Sequence, residues 1–173
     1  MPKIIENVRE LLLDTAKEQI RQRGYGKTTI RSVASACGLG VGTVYNYFKS
    51  KDMLIASFML EDWQECLLEM RSHVTSEPDA ALRGIHAALV SFLQKHQALF
   101  SDSDAAKVFV TVFGERHRQL RGQLQEVIMP LCSSSSAKDP DFLAEFIAEA
   151  LLTWTVEGKS YDELSATVGL LLK

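Results

Sequence analysis

Two short segments of helical period follow one another early in the chain, separated by Gly38-Leu39-Gly40. Thr28-Thr29 precedes the first segment, and either threonine can cap a helix there. The apolar face of this segment is formed by four residues: Ile30, Val33, Ala34 and Cys37. The second segment covers residues 41–48, with Val44 and Phe48 directed inward. Two short helices joined by a tight glycine-containing turn, after a longer helix, predict a helix-turn-helix.

Most of the remaining chain also has helical period. A first helix is predicted over residues 4–23, ended by Gly24-Tyr25-Gly26. Ser50 is expected to cap a long helix beginning at Lys51, whose acidic residues point outward: Glu61, Asp62 and Glu65. Later helices are predicted over residues 79–100, 104–113, 114–131, 141–157 and 161–172, with a serine loop at 133–136 and a strong helix start at Asp139-Pro140-Asp141. The sequence has no useful β alternation, so we expect an all-α fold of about nine helices.

Charge is distributed unevenly between the two parts of the chain. Residues 1–52 contain nine Lys and Arg against five Asp and Glu, a charge of +4, and residues 53–173 contain ten against seventeen, a charge of −7, which together make −3. A basic N-terminal part (residues 1–52, the head) followed by an acidic part (residues 53–173, the body) favours a polyanion as a partner of the head and not of the body.

Several classes of protein are disfavoured by the composition. The cysteines are three in number, Cys37, Cys66 and Cys132, without a CxxC pair, which argues against a disulfide framework or a zinc module. The four histidines form no HExxH motif, and no nucleophile or acid–base constellation is recognisable. We therefore expect no catalysis, no metal and no cofactor. No apolar run is long enough to cross a bilayer, so the sequence predicts a cytoplasmic protein without a membrane partner.

The second short helix has the pattern of a helix that reads DNA. With Val44 and Phe48 inward, Gly42, Thr43, Asn46 and Tyr47 remain on the outer face. A short helix of this kind fits the major groove, which is about 12 Å wide.

Residues 24–54, GYGKTTIRSVASACGLGVGTVYNYFKSKDML, resemble the DNA-binding signature of the TetR family of transcriptional regulators. Matching elements include Gly24-Tyr25, Thr28-Thr29, Gly42-Thr43-Val44-Tyr45, Tyr47-Phe48 and Lys51-Asp52-Met53-Leu54. The resemblance implies a three-helix DNA-binding domain at 1–50, followed by a helical ligand-binding and dimerisation domain at 51–173.

The resemblance also implies a set of DNA contacts. They are expected from Thr28, Thr29, Gly40, Val41, Gly42, Thr43, Tyr45, Asn46, Tyr47 and Lys51. Thr29 and Lys51 are expected to meet phosphates, and Tyr45 and Tyr47 each a phosphate or a base edge. Gly42 is expected where the helix backbone approaches the duplex closely. Gly40 and Val41 depart from the polar residues usual in the family. Val41 either contacts a thymine methyl group or makes no contact with a base.

The body is expected to hold a ligand and to form the dimer. Candidate pocket residues are Trp63, His86, Phe92, Phe109 and Phe113, for which ordinary core packing is the alternative. The last two helices are apolar over much of their circumference, which favours a two-fold, four-helix interface. Its expected residues are Phe142, Phe146, Ile147, Ala150, Trp154, Ala166, Gly169 and Leu170.

Two functional hypotheses follow from the resemblance. In the first, a homodimeric repressor binds double-stranded DNA at a palindromic operator and is released by an unknown small-molecule effector. In the second, the C-terminal domain of a DNA-binding regulator serves protein–protein interaction without a small-molecule ligand.

Overall fold

The computed structural model describes residues 7–172, apart from the side chains of residues 106–116. The described chain is helical and contains no strand. Its helices, in chain order, are α1 (Val8–Lys27), α2 (Ile30–Ala36), α3 (Val41–Tyr47), α4 (Lys51–Ser72), α5 (Pro78–Lys95), α6 (Gln97–Phe100), α7 (Ser103–Ser133), α8 (Pro140–Val156) and α9 (Tyr161–Leu171). The all-α prediction is confirmed. Among the described residues, no helix is both long and apolar enough to span a bilayer.

The helices form two compact units. Each unit consists of two segments of the chain. The first unit contains the residues up to Asp62 together with His96–Thr111, and the second contains Trp63–Lys95 together with the residues from Val112 onward. The first half of α4 therefore belongs to the unit that contains the helix-turn-helix. The predicted functional division at residue 50 stays a prediction.

In the first unit, α1, α2 and α3 enclose a small apolar core. Leu12, Val33 and Val44 are each fully buried, and Ala34 is 1% exposed. Gly38 closes α2 with a positive φ of 66°, a conformation in which glycine is favoured because it has no Cβ. Gln19 joins α1 to α2, because its side-chain amide donates to the carbonyl of Ser32 at 3.0 Å and accepts from the Ser32 hydroxyl at 2.7 Å.

Helix α1 continues beyond the predicted end at residue 23. It kinks at Gly24, whose φ of 81° and ψ of 170° are not helical, and a further turn runs to Lys27. The extra turn is stabilised by burial of Tyr25, which is 7% exposed. The predicted start at residue 4 and the apolar residue Ile5 lie outside the described residues.

In the second unit, α4, α5, α7, α8 and α9 bury a larger core. The predicted start of α8 is confirmed, since Pro140 is its first residue and Asp139 accepts the backbone N–H of Phe142 at 3.0 Å. Ser160 and Glu163 form a reciprocal capping box at the start of α9.

Helix α7 is a single helix where two were predicted, over 104–113 and 114–131. The predicted break falls at Gly114. A glycine inside a helix costs only about 1 kcal/mol, which is too little to end a long helix. Pro130, the predicted end, lies inside the last turn. Leu131 and Cys132 after it are 3% and 0% exposed, so their burial compensates for the backbone hydrogen bond that proline lacks.

The prediction that Asp62 points outward is wrong. Asp62 is 4% exposed, and one carboxylate oxygen accepts from the ammonium of Lys17 at 2.9 Å. Its other oxygen lies 3.1 Å from Nε2 of His96, and the ring of His96 stacks on Phe58. A carboxylate can be buried when it is paired in this way.

Candidate DNA-binding surface

Helix α3 has one buried side and one exposed side. Val44 and Phe48 are 0% and 3% exposed and hold the helix on the core of the first unit. Tyr45 and Tyr47 are 45% and 46% exposed on the opposite side. Gly42 and Asn46 are exposed beside them, whereas Val41 and Thr43 are half-buried. A polar and aromatic face is therefore presented by a helix of seven residues.

Glycines leave the backbone at the start of α3 open. Gly40 is the N-cap residue and offers no side-chain cap, while its carbonyl accepts the backbone N–H of Thr43 at 3.0 Å. A Cβ added at Gly42 would meet nothing within 4 Å. The surface over Gly42 is thus free for close approach by a large partner such as a DNA backbone.

The two threonines before α2 differ in their surroundings. Thr29 is exposed and caps α2, since its hydroxyl accepts the backbone N–H of Ser32 at 3.0 Å. Thr28 is only 1% exposed, and its hydroxyl donates to the carbonyl of Gly24 at 2.9 Å. The expectation of a DNA contact from the Thr28 side chain is therefore wrong, because this side chain closes the last turn of α1.

A groove of about 530 Å³ lies beside α3. Its lining combines the polar residues before α2, the edge of α3 and the loop that follows: Thr28, Thr29, Ile30, Arg31, Val41, Tyr45, Lys49, Ser50 and Lys51. Three cations, Arg31, Lys49 and Lys51, thus share one groove. Sequence reasoning missed Arg31 and Lys49, although their positive charge within a basic head was a usable signal.

Lys51 is held in a defined place at this groove. Its ammonium donates to the carbonyl of Tyr25 at 3.1 Å and lies 3.4 Å from the centre of the Tyr25 ring. The Tyr25 hydroxyl donates to Asp52 at 2.6 Å. Partial burial lowers the pKa of Lys51, while neighbouring carboxylates, including those of Asp52 and Asp102, raise it. Lys51 is therefore oriented by the last turn of α1, after the kink at Gly24.

The predicted pocket residues that are described lie within packed surroundings. Trp63 is 3% exposed, donates its ring N–H to Gln123 at 2.8 Å and contacts Phe92 edge to face at 5.3 Å. His86 is buried, and its Nε2 lies 3.1 Å from the carbonyl of Lys159. The side chains of Phe109 and Phe113 lie outside the described residues.

Large apolar side chains are exposed on α8 and α9. Phe142, Phe146, Trp154 and Leu170 are 62%, 47%, 44% and 63% exposed. The smaller predicted residues, Ala150, Ala166 and Gly169, are also at least partly accessible. Ile147 is an exception, because it is fully buried in the core of the second unit, so its prediction as an interface residue is wrong. Val156 and Leu171, which the sequence analysis did not name, are also exposed, at 67% and 40%.

The described residues contain no group of three or more His, Cys, Asp or Glu side chains that could hold a metal ion. All three cysteines are free. Burial raises the pKa of Cys66 to about 12 and that of Cys132 to about 11, so both are poor nucleophiles.

The short helix α3, exposed beyond a tight turn and bordered by cations, defines a helix-turn-helix protein that binds DNA. Residues 12–58 match the family described as bacterial regulatory proteins, tetR family. A relative from Xanthobacter autotrophicus, the uncharacterized HTH-type transcriptional regulator in the dhlA 5' region, is 30% identical over 170 residues, covering 90% of this chain and 79% of the relative. This chain belongs to the tetR family of transcriptional regulators, and the members it matches are regulators, not enzymes.

Other relatives are more distant. The fatty acid metabolism regulator protein of Bacillus subtilis is 25% identical over 118 residues, which cover 68% of this chain and 58% of that protein. Among solved structures, the TetR family repressor AlkX from Dietzia, implicated in biodegradation of n-alkanes, has a TM-score of 0.65 at 18% identity and covers 96% of this chain and 94% of its own. The fatty acid degradation regulator FadR from Bacillus halodurans has a TM-score of 0.64 at 19% identity, covering 98% and 96%. At these identities the two structures support the fold alone.

Proposed function

We propose that this regulator is a homodimeric repressor that binds a palindromic operator through α3 and leaves it when a small-molecule effector binds. The observation that carries the proposal is the exposed face of α3 beside a groove that holds Arg31, Lys49 and Lys51. Tyr45, Tyr47 and Asn46 are assigned to the major groove, and Thr29 and the three cations to phosphates. In this proposal residues 1–50 bind DNA, and residues 51–173 bind the effector and form the dimer.

The dimer is supported by the apolar surface of the last two helices. Four large side chains on α8 and α9 are each more than 40% exposed, and the rings of Phe142 and Phe146 lie 6.5 Å apart. Exposed apolar groups gathered on one surface are typical of an interaction site. A second copy of the same surface covers them in a two-fold interface, which presents two α3 helices to half-sites about 34–36 Å apart.

A test of the dimer compares two exposed apolar residues. Phe146→Glu places a charge on the proposed interface, whereas Leu68→Glu places one on α4 at a residue that is 65% exposed. We expect sedimentation to give a dimer for the wild type and for Leu68→Glu, and a monomer for folded Phe146→Glu. A dimeric Phe146→Glu would place the interface elsewhere.

The DNA-binding proposal is tested by competition between genomic fragments, including the DNA upstream of the protein's own gene. We expect selective retention of one palindromic fragment, with weaker retention by Tyr47→Ala. Arg31→Ala should also weaken binding and reduce the dependence on salt by about one counterion, whereas Arg118→Ala, which removes an exposed arginine of the second unit, should not. Equal retention of all fragments by every variant would contradict the proposal.

For the effector, we propose an apolar molecule, by analogy with the fatty acid metabolism regulator among the sequence relatives. Long-chain fatty acids are the first compounds to test. A Trp154→Phe variant leaves Trp63 as the single tryptophan, so its fluorescence reports on the core around α4 and α5. We expect a binding compound to change this emission and to release DNA at the same concentrations.

A second function is favoured by the packing of Trp63 against Phe92 and by its hydrogen bond to Gln123. Aromatic side chains interlocked in this way stabilise a core, and a body of this kind can serve protein–protein interaction without a small-molecule ligand. Binding of a protein partner that changes DNA affinity, with no response to any apolar compound, would favour this alternative.

A further inference from the structure

The carboxylate of Asp102, between α6 and α7, lies next to two backbone segments: the start of α7 and the kink of α1 at Gly24. Asp102 precedes α7 and caps its start, since one of its oxygens accepts the backbone N–H groups of Asp104 at 2.9 Å and Ala105 at 3.0 Å. Its other oxygen lies 3.7 Å from the position that a Cβ on Gly24 would occupy. The backbone N–H of Ala105, and with smaller effect those of Asp104, Gly26 and Tyr25, lower the pKa of Asp102.

The turn that Asp102 faces is the one that holds Lys51. Gly24, where α1 kinks, lies beside the Asp102 carboxylate, and the carbonyl of the next residue, Tyr25, accepts from the Lys51 ammonium at 3.1 Å. Tyr25 is 7% exposed and is fixed further by its hydroxyl bond to Asp52. A displacement of this buried turn therefore displaces the ammonium at the edge of the groove beside α3.

We propose that Asp102 is a positioning residue for DNA binding, which acts through the turn after Gly24 to hold Lys51 where it meets a phosphate. The inference rests on the proposed contact between Lys51 and DNA. The change in DNA affinity expected on neutralising Asp102 is opposite to the change expected from charge repulsion alone. Neutralising a carboxylate close to DNA removes repulsion and should tighten binding, whereas loss of the positioning contact should weaken it.

The experiment measures DNA affinity at several salt concentrations for Asp102→Asn, Lys51→Met and the double variant. We expect Asp102→Asn to weaken binding by about threefold to tenfold and to reduce the salt dependence by up to about one counterion, as Lys51→Met does. In the Lys51→Met background, Asp102→Asn should have almost no further effect, because the residue that it positions is gone. Asp104→Asn, which neutralises a neighbouring carboxylate in the first turn of α7, is the control and should bind as tightly as the wild type or more tightly.

A second variant separates positioning from helix capping. Asp102→Ser keeps an oxygen that can cap α7 but is too short to serve the turn at Tyr25 and Gly26 as well. We expect Asp102→Ser to weaken DNA binding as much as Asp102→Asn while retaining more of the wild-type melting temperature. Wild-type DNA affinity in Asp102→Ser would mean that Asp102 only caps α7, and the proposal would be overturned.

Different results would exclude the phosphate contact of Lys51 and the positioning role of Asp102. If Lys51→Met binds DNA like the wild type with an unchanged salt dependence, the phosphate contact is absent and the positioning role falls with it. If Lys51→Met weakens binding but Asp102→Asn weakens it equally in both backgrounds, Lys51 contacts DNA without help from Asp102. Unchanged or tighter binding by Asp102→Asn alone also overturns the proposal.

Discussion

Replacing Asp62 by alanine tests the buried cluster that joins α1, α4 and the residue before α6. The Asp62 side chain is 2% exposed, and its removal leaves Lys17 and His96 without the carboxylate that lies 2.9 and 3.1 Å from them. Breaking a fully buried ion pair by removing one partner costs about 3–5 kcal/mol. Lys17 is 29% exposed and can turn its ammonium toward water, so we expect a cost near the lower end, about 3 kcal/mol.

The expected consequence is a large fall in thermal stability. A cost of about 3 kcal/mol lowers the melting temperature of a chain of this size by roughly 6–12 °C. The matched control is Glu65→Ala on the same helix, where the carboxylate is 73% exposed and lies 3.7 Å from Lys95. A surface pair of this kind contributes less than about 1 kcal/mol, so the control should melt within about 3 °C of the wild type.

Calorimetry or circular dichroism measures both variants under the same conditions. If Asp62→Ala melts as close to the wild type as Glu65→Ala does, the cluster does not stabilise the first unit and the reasoning from burial is refuted. Replacing Asp62 and Lys17 together by Leu and Met should recover part of the loss, because well-packed apolar groups often replace a buried ion pair at little cost.

Three further predictions concern the second unit. Gly84→Ala gains about 1 kcal/mol in helix propensity, but its Cβ would overlap the ring of His73, and such overpacking costs about 1–3 kcal/mol. We therefore expect a lower melting temperature, restored when His73→Ala is added, and a stabilised single variant would contradict this. Cys66 and Cys132, 5% and 0% exposed with raised pKa values, should resist thiol reagents until the protein unfolds, and rapid labelling of either would disprove their burial. The side-chain bond to Lys159 and the bonds to Ser160 lower the pKa of Glu163 from 4.5 to about 2, so its contribution to stability is present above pH 4.5 and is lost as the pH falls toward 2. Denaturant titrations should show a smaller acid-side loss of stability in Glu163→Gln, and an identical pH profile would remove Glu163 as a cause.

Local signals explain why the helix-turn-helix was predictable. Gly38 and the cap at Thr29 act within a few residues, and the buried positions of α3 follow directly from its period. The start of α8 at Asp139-Pro140 was predictable for the same reason. In each case the residues that decide the structure are neighbours in the chain.

The errors have a different physical origin. The sequence predicts that Asp62 points outward because its partner Lys17 is 45 residues earlier in the chain, and the sequence does not show that the two side chains are in contact. Thr28 reads as a surface residue until its hydroxyl is found on the carbonyl of Gly24. Ile147 shares an apolar helix with the exposed phenylalanines, and when a helix is apolar on several sides its period alone does not distinguish the buried side from an exposed one.

The most direct test of the account is a footprint of the protein on the DNA fragment that it retains. Two α3 helices in a two-fold dimer predict two protected half-sites related by inverted repeat, about 34–36 Å apart from centre to centre, with two subunits for each operator. Tyr47→Ala should lose the protection in both half-sites together. A single unsymmetrical footprint, or protection that Tyr47→Ala leaves intact, would contradict recognition of DNA by α3 in a two-fold dimer.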